Sequence, residues 1–171
     1  ENILLHGITD IVLPAGHLGK AVEAPYTGVS MRGAKNRVIR ESQPLGTGGA
    51  LRGAAAHLDD VLLMTNGDSA LDINYLALGA ALGPQRHGRP LPSAWSKSKP
   101  FDRVDVAGSR IAGFHDKGPN HPCAALVSGG VHMLRRAVVD RIAATVCTIE
   151  TDIFHDLARQ ELLAAHVAGD A

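Results

Sequence analysis

The sequence has few cysteines, no excess of charge of either sign and no long apolar run. Cys123 and Cys147 are its two cysteines, and they have neither metal-motif spacing nor the pattern of a disulfide framework. We therefore expect reduced thiols in a cytoplasmic protein. The formal net charge is zero, which gives no support for a nucleic-acid partner or a membrane partner.

The apolar runs are the length of strands, so no segment of the sequence is predicted to span a bilayer. The first six residues lack the basic start and the long apolar core of a secretory signal. Hydrophobic residues make up 45% of the 171 residues and charged residues 20%, which is ordinary for a globular protein. This length suits one domain with a sizeable core, so we predict a single domain over residues 1–171.

Strand and helix signals alternate along the chain. Alternating residues around Gly108-Ser109 predict a hairpin over Arg103–Phe114, and Thr151 is a predicted N-cap. This alternation favours an α/β fold with a mainly parallel, Rossmann-like sheet flanked by helices. The strand signals fall at residues 11–13, 37–40, 61–64 and 125–131, and the helix signals at 18–24, 50–58, 71–82, 134–142 and 151–162.

Two neighbouring segments carry the strongest functional signal. Glu41–Leu51 is a glycine-rich turn that leads into an alanine-rich helical stretch. Glycine allows close backbone approach to a ligand, and a helix N-terminus favours a phosphate. Val61–Met64 reads as a buried strand, and Asp68 follows it, where open α/β sheets place their ligands. Together they predict a nucleotide site with a metal-binding aspartate, although Gly67-Asp68 is also ordinary turn chemistry.

Other site types fit the residues less well. Leu51 stands where a dinucleotide fingerprint that starts at Gly46 would need glycine, and no lysine follows as in a P-loop. Among the nine histidines, His115, His121 and His132 lack the helical spacing of a zinc motif. No Ser-His-Asp arrangement or nucleophile elbow is visible in the sequence.

Several motifs resemble, in order along the chain, those of the sugar-1-phosphate nucleotidyltransferases. The motif sequences are most similar to those of the heptose-1-phosphate guanylyltransferase branch of that family. The resembling segments are Gly7–Leu13, Pro44–Ala50, Asn66–Ser69, Ile111–Gly118, Ser128–Leu134 and Thr148–Phe154.

The resemblance implies the nucleotide-diphospho-sugar transferase fold and a reaction between a nucleoside triphosphate and a sugar 1-phosphate. GTP and heptose 1-phosphate are the expected substrates, pyrophosphate is the leaving group, and Mg²⁺ is the implied cofactor. Mannose 1-phosphate or another sugar phosphate is the enzyme alternative, and a non-catalytic nucleotide- or sugar-binding homologue is the second class.

The family motifs also imply a role for individual residues of this sequence. Asp68 is expected to bind the metal and to be catalytic, together with Lys117, which would hold the sugar phosphate. The nucleotide-binding residues implied by the resemblance are Gln43, Gly46, Gly48, Gly49, Asn66 and Gly67. The sugar-binding residues implied by it are Asp116, Ser128, Gly129, Gly130 and Glu150.

The sequence departs from the family pattern at both ends and at three internal positions. The N-terminal glycine-rich loop with its lysine and the C-terminal segment with a second metal-binding aspartate are not in this chain. We therefore expect the fold of this chain to be incomplete at both ends, because the two segments either belong to a longer protein or are deleted. If they are deleted, uncovered sheet edges and apolar faces would favour aggregation or a homo-oligomer. Asp116 replaces the usual glutamate, Ser128 replaces asparagine, and Asp102 stands where relatives carry glycine.

Overall fold

The structure is a computed structural model that describes residues 2–17, 19–68, 71–82, 91–97, 103–115 and 126–167. It has a mixed α/β architecture in two compact units. The first unit holds the residues up to Val61 together with Arg135–Ile153, and the second holds Leu62–Leu134 together with the residues from Phe154 onward. The division does not test the predicted single domain over residues 1–171, which stays a prediction.

The helices and strands of the described residues alternate for most of the chain. A 3₁₀ turn covers Ala55–His57 and a π-helical turn covers Ile149–Phe154. The helices are α1 (Asn2–Leu5), α2 (Gly19–Tyr26), α3 (Gly46–Gly53), α4 (Tyr75–Ala81), α5 (Arg136–Arg141) and α6 (His155–Arg159). The strands are β1 (Asp10–Ala15), β2 (Ser30–Met31), β3 (Ala34–Arg40), β4 (Val61–Thr65), β5 (Leu91–Lys97), β6 (Arg103–Ala107), β7 (Arg110–His115), β8 (Leu126–Arg135) and β9 (Leu163–Val167).

The first unit contains a sheet with the strand order β1-β3-β2. β1 and β3 are parallel, with Leu13 opposite Val38, whereas β2 and β3 are antiparallel. Arg32 and Gly33 join β2 to β3 with φ values of 52° and 87°, as a two-residue hairpin turn of type I′ requires. Because β1 and β3 are parallel, their carboxyl ends meet at the same edge of the sheet.

The second unit contains a sheet with the order β4-β8-β5-β9-β7-β6, and β6 also pairs with β8. β5 and β9 are parallel, but β5–β8, β6–β7, β6–β8 and β7–β9 are antiparallel pairs. The predicted α/β class is confirmed, while the mainly parallel, Rossmann-like arrangement is confirmed only in part. The tight turn at Gly108-Ser109 explains one antiparallel pair, because a two-residue connection cannot join parallel strands.

The starts of the helices predicted over 71–82 and 151–162 differ from the structure. Asn74 caps α4, and its Oδ1 accepts a hydrogen bond from the Ala77 N–H at 3.0 Å, so the predicted helix over 71–82 begins later than its composition indicated. Thr151 is not an N-cap, because it lies inside the π-helical turn. Asp152 has a capping contact instead: its Oδ2 accepts from the Thr148 N–H at 2.8 Å. Among the described residues, none of the helices is long and apolar enough to cross a membrane.

His132 is a fully buried side chain in the core of the second unit. Its ring packs against the ring of Phe154, with the centroids 4.7 Å apart, and burial lowers the pKa of His132 to about 4. The charged imidazolium is therefore excluded from the folded state above that pH, since a buried charge loses its hydration.

This burial predicts a loss of stability in mild acid. The unfolded chain binds a proton at His132 below a pH of about 6.5, whereas the folded chain binds it only below about 4. Stability is thus fully present above the unfolded pKa and falls as the pH drops from 6.5 towards 4. Integrating over that window, we expect about 2 kcal/mol less stability at pH 5 than at pH 7 from this group. Denaturant unfolding at pH 5 and at pH 7 measures this loss of stability. An equal loss in the variant His132→Leu would contradict its assignment to His132.

Candidate functional site

The glycine-rich segment of the first unit forms the start of α3. Gly46 is the first residue of α3 and has a φ of 74°. Leu45 precedes it and provides no side-chain cap. The predicted helix over 50–58 therefore starts earlier, and Gly48 and Gly49 lie in its first turn.

A segment distant in sequence caps the N-terminus of α3. The N–H groups of Gly48 and Gly49 donate to the carbonyl oxygen of Cys147 at 2.9 and 3.3 Å, and the Cys147 N–H donates to the Leu45 oxygen at 2.8 Å. The first N–H groups of a helix are those that would bind an anion. Because two of them are already bonded, the expectation that this N-terminus holds a phosphate does not extend to Gly48 and Gly49.

The three glycines are required by close packing of the chain on itself. A Cβ atom on Gly46 would lie 2.5 Å from the Cys147 oxygen, and one on Gly48 would lie 2.7 Å from the Cys147 Sγ. On Gly49 it would lie 2.5 Å from the Leu45 Cβ. Real Cβ atoms do not approach other heavy atoms so closely, so these positions need glycine with or without a ligand.

Thr47 and Glu150 connect the glycine segment to the π-helical turn. The Thr47 hydroxyl donates to Glu150 Oε2 at 3.0 Å, and it accepts from the Ile149 N–H at 3.0 Å. Burial holds the pKa of the nearby Cys147 thiol above its ordinary value, and the carboxylates of Asp152 and Glu150 raise it further. Cys147 is a buried free cysteine. The structure therefore brings Glu150 to the predicted nucleotide segment.

Glu41 is a site candidate that the sequence interpretation missed. It follows β3 at the carboxyl end of the parallel β1–β3 pair, and its N–H donates to the Ala15 oxygen at 3.0 Å. Its Oε1 is buried and has no hydrogen-bond partner among the described residues. The missing side chain of Gly16 leaves room for this carboxylate, since a Cβ there would lie 2.6 Å from Glu41 Oε2. Its position after a strand of the parallel pair was the available signal. Gln43 is exposed two residues later.

In the second unit, Asn66, Gly67 and Asp68 follow the end of β4. The Asn66 N–H donates to the Gly130 oxygen at 2.9 Å. The Asn66 side chain covers Gly130, whose φ is 67°, and a Cβ on Gly130 would lie 2.8 Å from Asn66 Nδ2. The structure thus joins a predicted nucleotide residue to a predicted sugar residue, and it leaves Gly67 and Asp68 exposed.

Ser128, Gly129 and Gly130 form an irregularity in β8. Ala94 pairs with Val131 and Trp95 with Ser128, so β8 has extra residues at this point. The Ser128 hydroxyl accepts from the Gly130 N–H at 3.2 Å, which closes the bulge locally. A bulge can re-aim backbone groups towards a ligand.

The remaining predicted site residues, Asp116 and Lys117, lie outside the described residues, as does Asp102. The strand that leads towards them, β7, ends at His115. Phe114 stacks on His155 of α6, with the ring centroids 4.7 Å apart and the planes 9° apart.

The predicted metal ligand among the described residues is the carboxylate of Asp68. Within those residues, no group of three or more His, Cys, Asp or Glu side chains could hold a metal ion. Mg²⁺ typically binds through one or two carboxylates and completes its coordination with water and substrate phosphate. The exposed Asp68 at the end of β4 fits that mode of binding.

No family model matches the sequence, but the fold is similar to those of several solved structures. HddC from Yersinia pseudotuberculosis complexed with GMP-PN has a TM-score of 0.80 at 17% identity, over 97% of this chain and 72% of that chain. A protein of Bacillus anthracis assigned as a glucose-1-phosphate thymidylyltransferase, in complex with a sucrose, has a TM-score of 0.66 at 12% identity, over 95% and 87%. The inositol-1-phosphate CTP transferase of T. maritima has 0.66 at 13%, over 96% and 68%.

These comparisons confirm the predicted resemblance at the level of the fold. The names of two of these structures describe nucleotidyl transfer to a sugar phosphate or an inositol phosphate. At such low identity the likeness establishes the fold that this chain shares with them.

Proposed function

We propose that the protein is an enzyme that transfers a nucleotidyl group from a nucleoside triphosphate to a sugar 1-phosphate. A phosphate oxygen of the sugar 1-phosphate attacks the α-phosphorus, the bond between that phosphorus and the bridging oxygen breaks, and pyrophosphate leaves. The observation that carries the proposal is the order of the motifs on this fold: α3 with its glycines follows β3, and Asp68 follows β4. The fold likeness to sugar-phosphate nucleotidyltransferases supports the same reaction class.

The chain's own residues would bind and orient the two substrates. Asp68 would hold a magnesium ion, whose charge would neutralise the phosphates during the transfer. Lys117 would bind the sugar phosphate as a point charge. The nucleotide would be contacted by Gln43, Gly46, Gly48, Gly49, Asn66 and Gly67. The sugar would be contacted by Asp116, Ser128, Gly129, Gly130 and Glu150.

The nucleotide that we propose is GTP, and Glu41 supports it. An ionised carboxylate only accepts hydrogen bonds, and Glu41 Oε1 is buried without a donor among the described residues. Guanine presents two adjacent donors, its N1–H and its exocyclic amine, which a carboxylate accepts as a pair. Adenine, cytosine and uracil each place an acceptor beside their donor. A guanine base that reaches the Glu41 carboxylate would therefore satisfy its oxygens better than the other bases do.

Glu41→Gln is expected to lower the preference for GTP over ATP by about 10-fold, because the amide presents one acceptor and one donor. Pyrophosphate release with each of the four nucleoside triphosphates, at limiting concentration, measures the ratio. Glu23→Gln is the matched control, since Glu23 is a half-buried residue of the same unit that pairs with Arg40. An unchanged GTP/ATP ratio in Glu41→Gln would remove the support for guanine.

The sugar substrate that we propose is heptose 1-phosphate, by the motif resemblance. Pyrophosphate release by the full-length protein in Mg²⁺ and GTP, with heptose 1-phosphate and mannose 1-phosphate compared, tests the proposal. Faster release with mannose 1-phosphate would replace the sugar and leave the reaction class intact. Absence of release with every nucleotide and sugar phosphate would instead favour a non-catalytic binding homologue.

A further inference from the structure

Thr47, Glu150 and Ile149 form a hydrogen-bonded network beside the cap of α3, which we call the Thr47 latch. The latch consists of the Thr47 hydroxyl, the Glu150 carboxylate and the Ile149 N–H. Thr47 lies 102 residues before Ile149 in the chain. The latch therefore holds together two segments that the motifs assign to different substrates.

The geometry fixes the direction of both hydrogen bonds at Thr47. The Ile149 N–H can only donate, so the Thr47 Oγ accepts from it. The hydroxyl proton is then available for Glu150 Oε2, and an ionised carboxylate can only accept. The single hydroxyl of Thr47 therefore accepts a hydrogen bond from Ile149 and donates one to Glu150, and so joins the glycine segment to the π-helical turn.

The latch fixes the carboxylate of Glu150 and the position of the glycine segment together. Thr47 lies between Gly46 and Gly48, in the segment proposed to contact the nucleotide. Glu150 is proposed to contact the sugar, and its Oε2 is held at 3.0 Å from Thr47. A shift of either segment would break the bond at Thr47, so ordering one segment orders the other.

We propose that Thr47 is a positioning residue that couples nucleotide binding to sugar-phosphate binding. This proposal rests on the proposed function. A bound nucleotide that orders the glycine segment would pre-set Glu150 for the sugar, and a bound sugar phosphate would do the reverse. Linkage requires the two effects to be equal in size.

The coupling is measurable by calorimetry with substrates that cannot react. The probes are a GTP analogue with a methylene group between the α- and β-phosphorus atoms, and heptose 1-phosphate. In the unaltered protein we expect saturating heptose 1-phosphate to raise the affinity for the analogue by about 10-fold, a usual size for coupled sites. Thr47→Val keeps the shape of the side chain but loses the hydroxyl. In this variant, heptose 1-phosphate should raise the affinity for the analogue by less than about 2-fold.

Two further variants separate the latch from general stability. Thr47→Ser keeps the hydroxyl and should restore the rise of about 10-fold. Thr151→Val makes the same chemical change at an exposed threonine of the π-helical turn that holds Glu150. The Thr151 hydroxyl donates to Asp152 Oδ1 at 3.1 Å instead of bonding Thr47, so this variant should leave the coupling intact. All titrations are run well below the thermal midpoint of each variant, so that only folded protein is compared.

Each outcome decides between the proposals. Undiminished coupling in folded Thr47→Val would overturn the latch and leave the proposed function standing. If the unaltered protein binds both probes without coupling, the latch is likewise overturned and the proposed function stands. If the unaltered protein binds neither probe, the proposed function itself fails and the latch fails with it.

Discussion

Asp68→Asn is expected to lower the rate of magnesium-dependent pyrophosphate release by about 10³-fold. The amide keeps the shape of the side chain but supplies no negative charge to the metal, and loss of one such electrostatic contribution costs roughly 10²–10³-fold. Because Asp68 is exposed at the end of β4, the free energy of unfolding should change by less than about 0.5 kcal/mol. Steady-state release at saturating GTP and sugar phosphate, over a Mg²⁺ titration, measures the effect.

Asp72→Asn provides the control for that experiment. Asp72 is also exposed in the second unit, four positions further along the sequence, and it has no proposed role in the reaction. Its replacement should leave the rate within about 2-fold, as is usual for surface positions. A rate in Asp68→Asn that matches the rate in Asp72→Asn would refute the metal assignment.

Gly48→Val is expected to destabilise the protein by about 3 kcal/mol or more. A Cβ at this position would lie 2.7 Å from the Cys147 Sγ and 3.1 Å from the Cys147 oxygen. Relief would require α3 to move away from the segment that caps it, and overpacking of this kind typically costs about 1–3 kcal/mol or more. Chemical denaturation measures the loss. A reduced nucleotide affinity in this variant would therefore report the packing of α3 as well as any loss of space for the base.

Gly53 allows a matched comparison within the same helix. It is the last residue of α3, and a Cβ there would have no heavy atom within 4 Å. Gly53→Ala should be neutral or stabilise the protein by up to about 1 kcal/mol, whereas Gly48→Ala should destabilise it. Equal stability of the two alanine variants would show that the contact with Cys147 does not require glycine at position 48.

The sequence predicted best what local patterns determine. Apolar runs located β1, β3, β4 and β8 to within a few residues, and Gly108-Ser109 located the β6–β7 hairpin. Strand order and direction were predicted less well, because β5 pairs in parallel with β9 and antiparallel with β8. Such pairings join segments far apart in sequence, and the alternation of helices and strands does not specify them.

In the candidate site, too, the sequence did not predict contacts between residues that lie far apart in the chain. The motifs pointed to the glycines of α3 and to Glu150, but the contact between Thr47 and Glu150 depends on segments 103 residues apart. Thr151 was a reasonable N-cap by residue type, yet it lies inside the π-helical turn, and the Asp152 carboxylate takes up the Thr148 N–H instead. Glu41 became a candidate through its position after β3 in the parallel pair and the burial of its Oε1, and both of these come from the structure.

Because Cys147 caps α3, the start of α3 is synthesised long before the segment that caps it. The partner of the Gly48 and Gly49 N–H groups is a carbonyl that belongs to Cys147. A ribosome adds about 5–20 residues per second, so the roughly 100 residues that separate Gly48 from Cys147 take on the order of 5–20 s. During that interval the start of α3 is present in the nascent chain without its cap. The proposed nucleotide segment thus acquires its cap only after Cys147 has been synthesised.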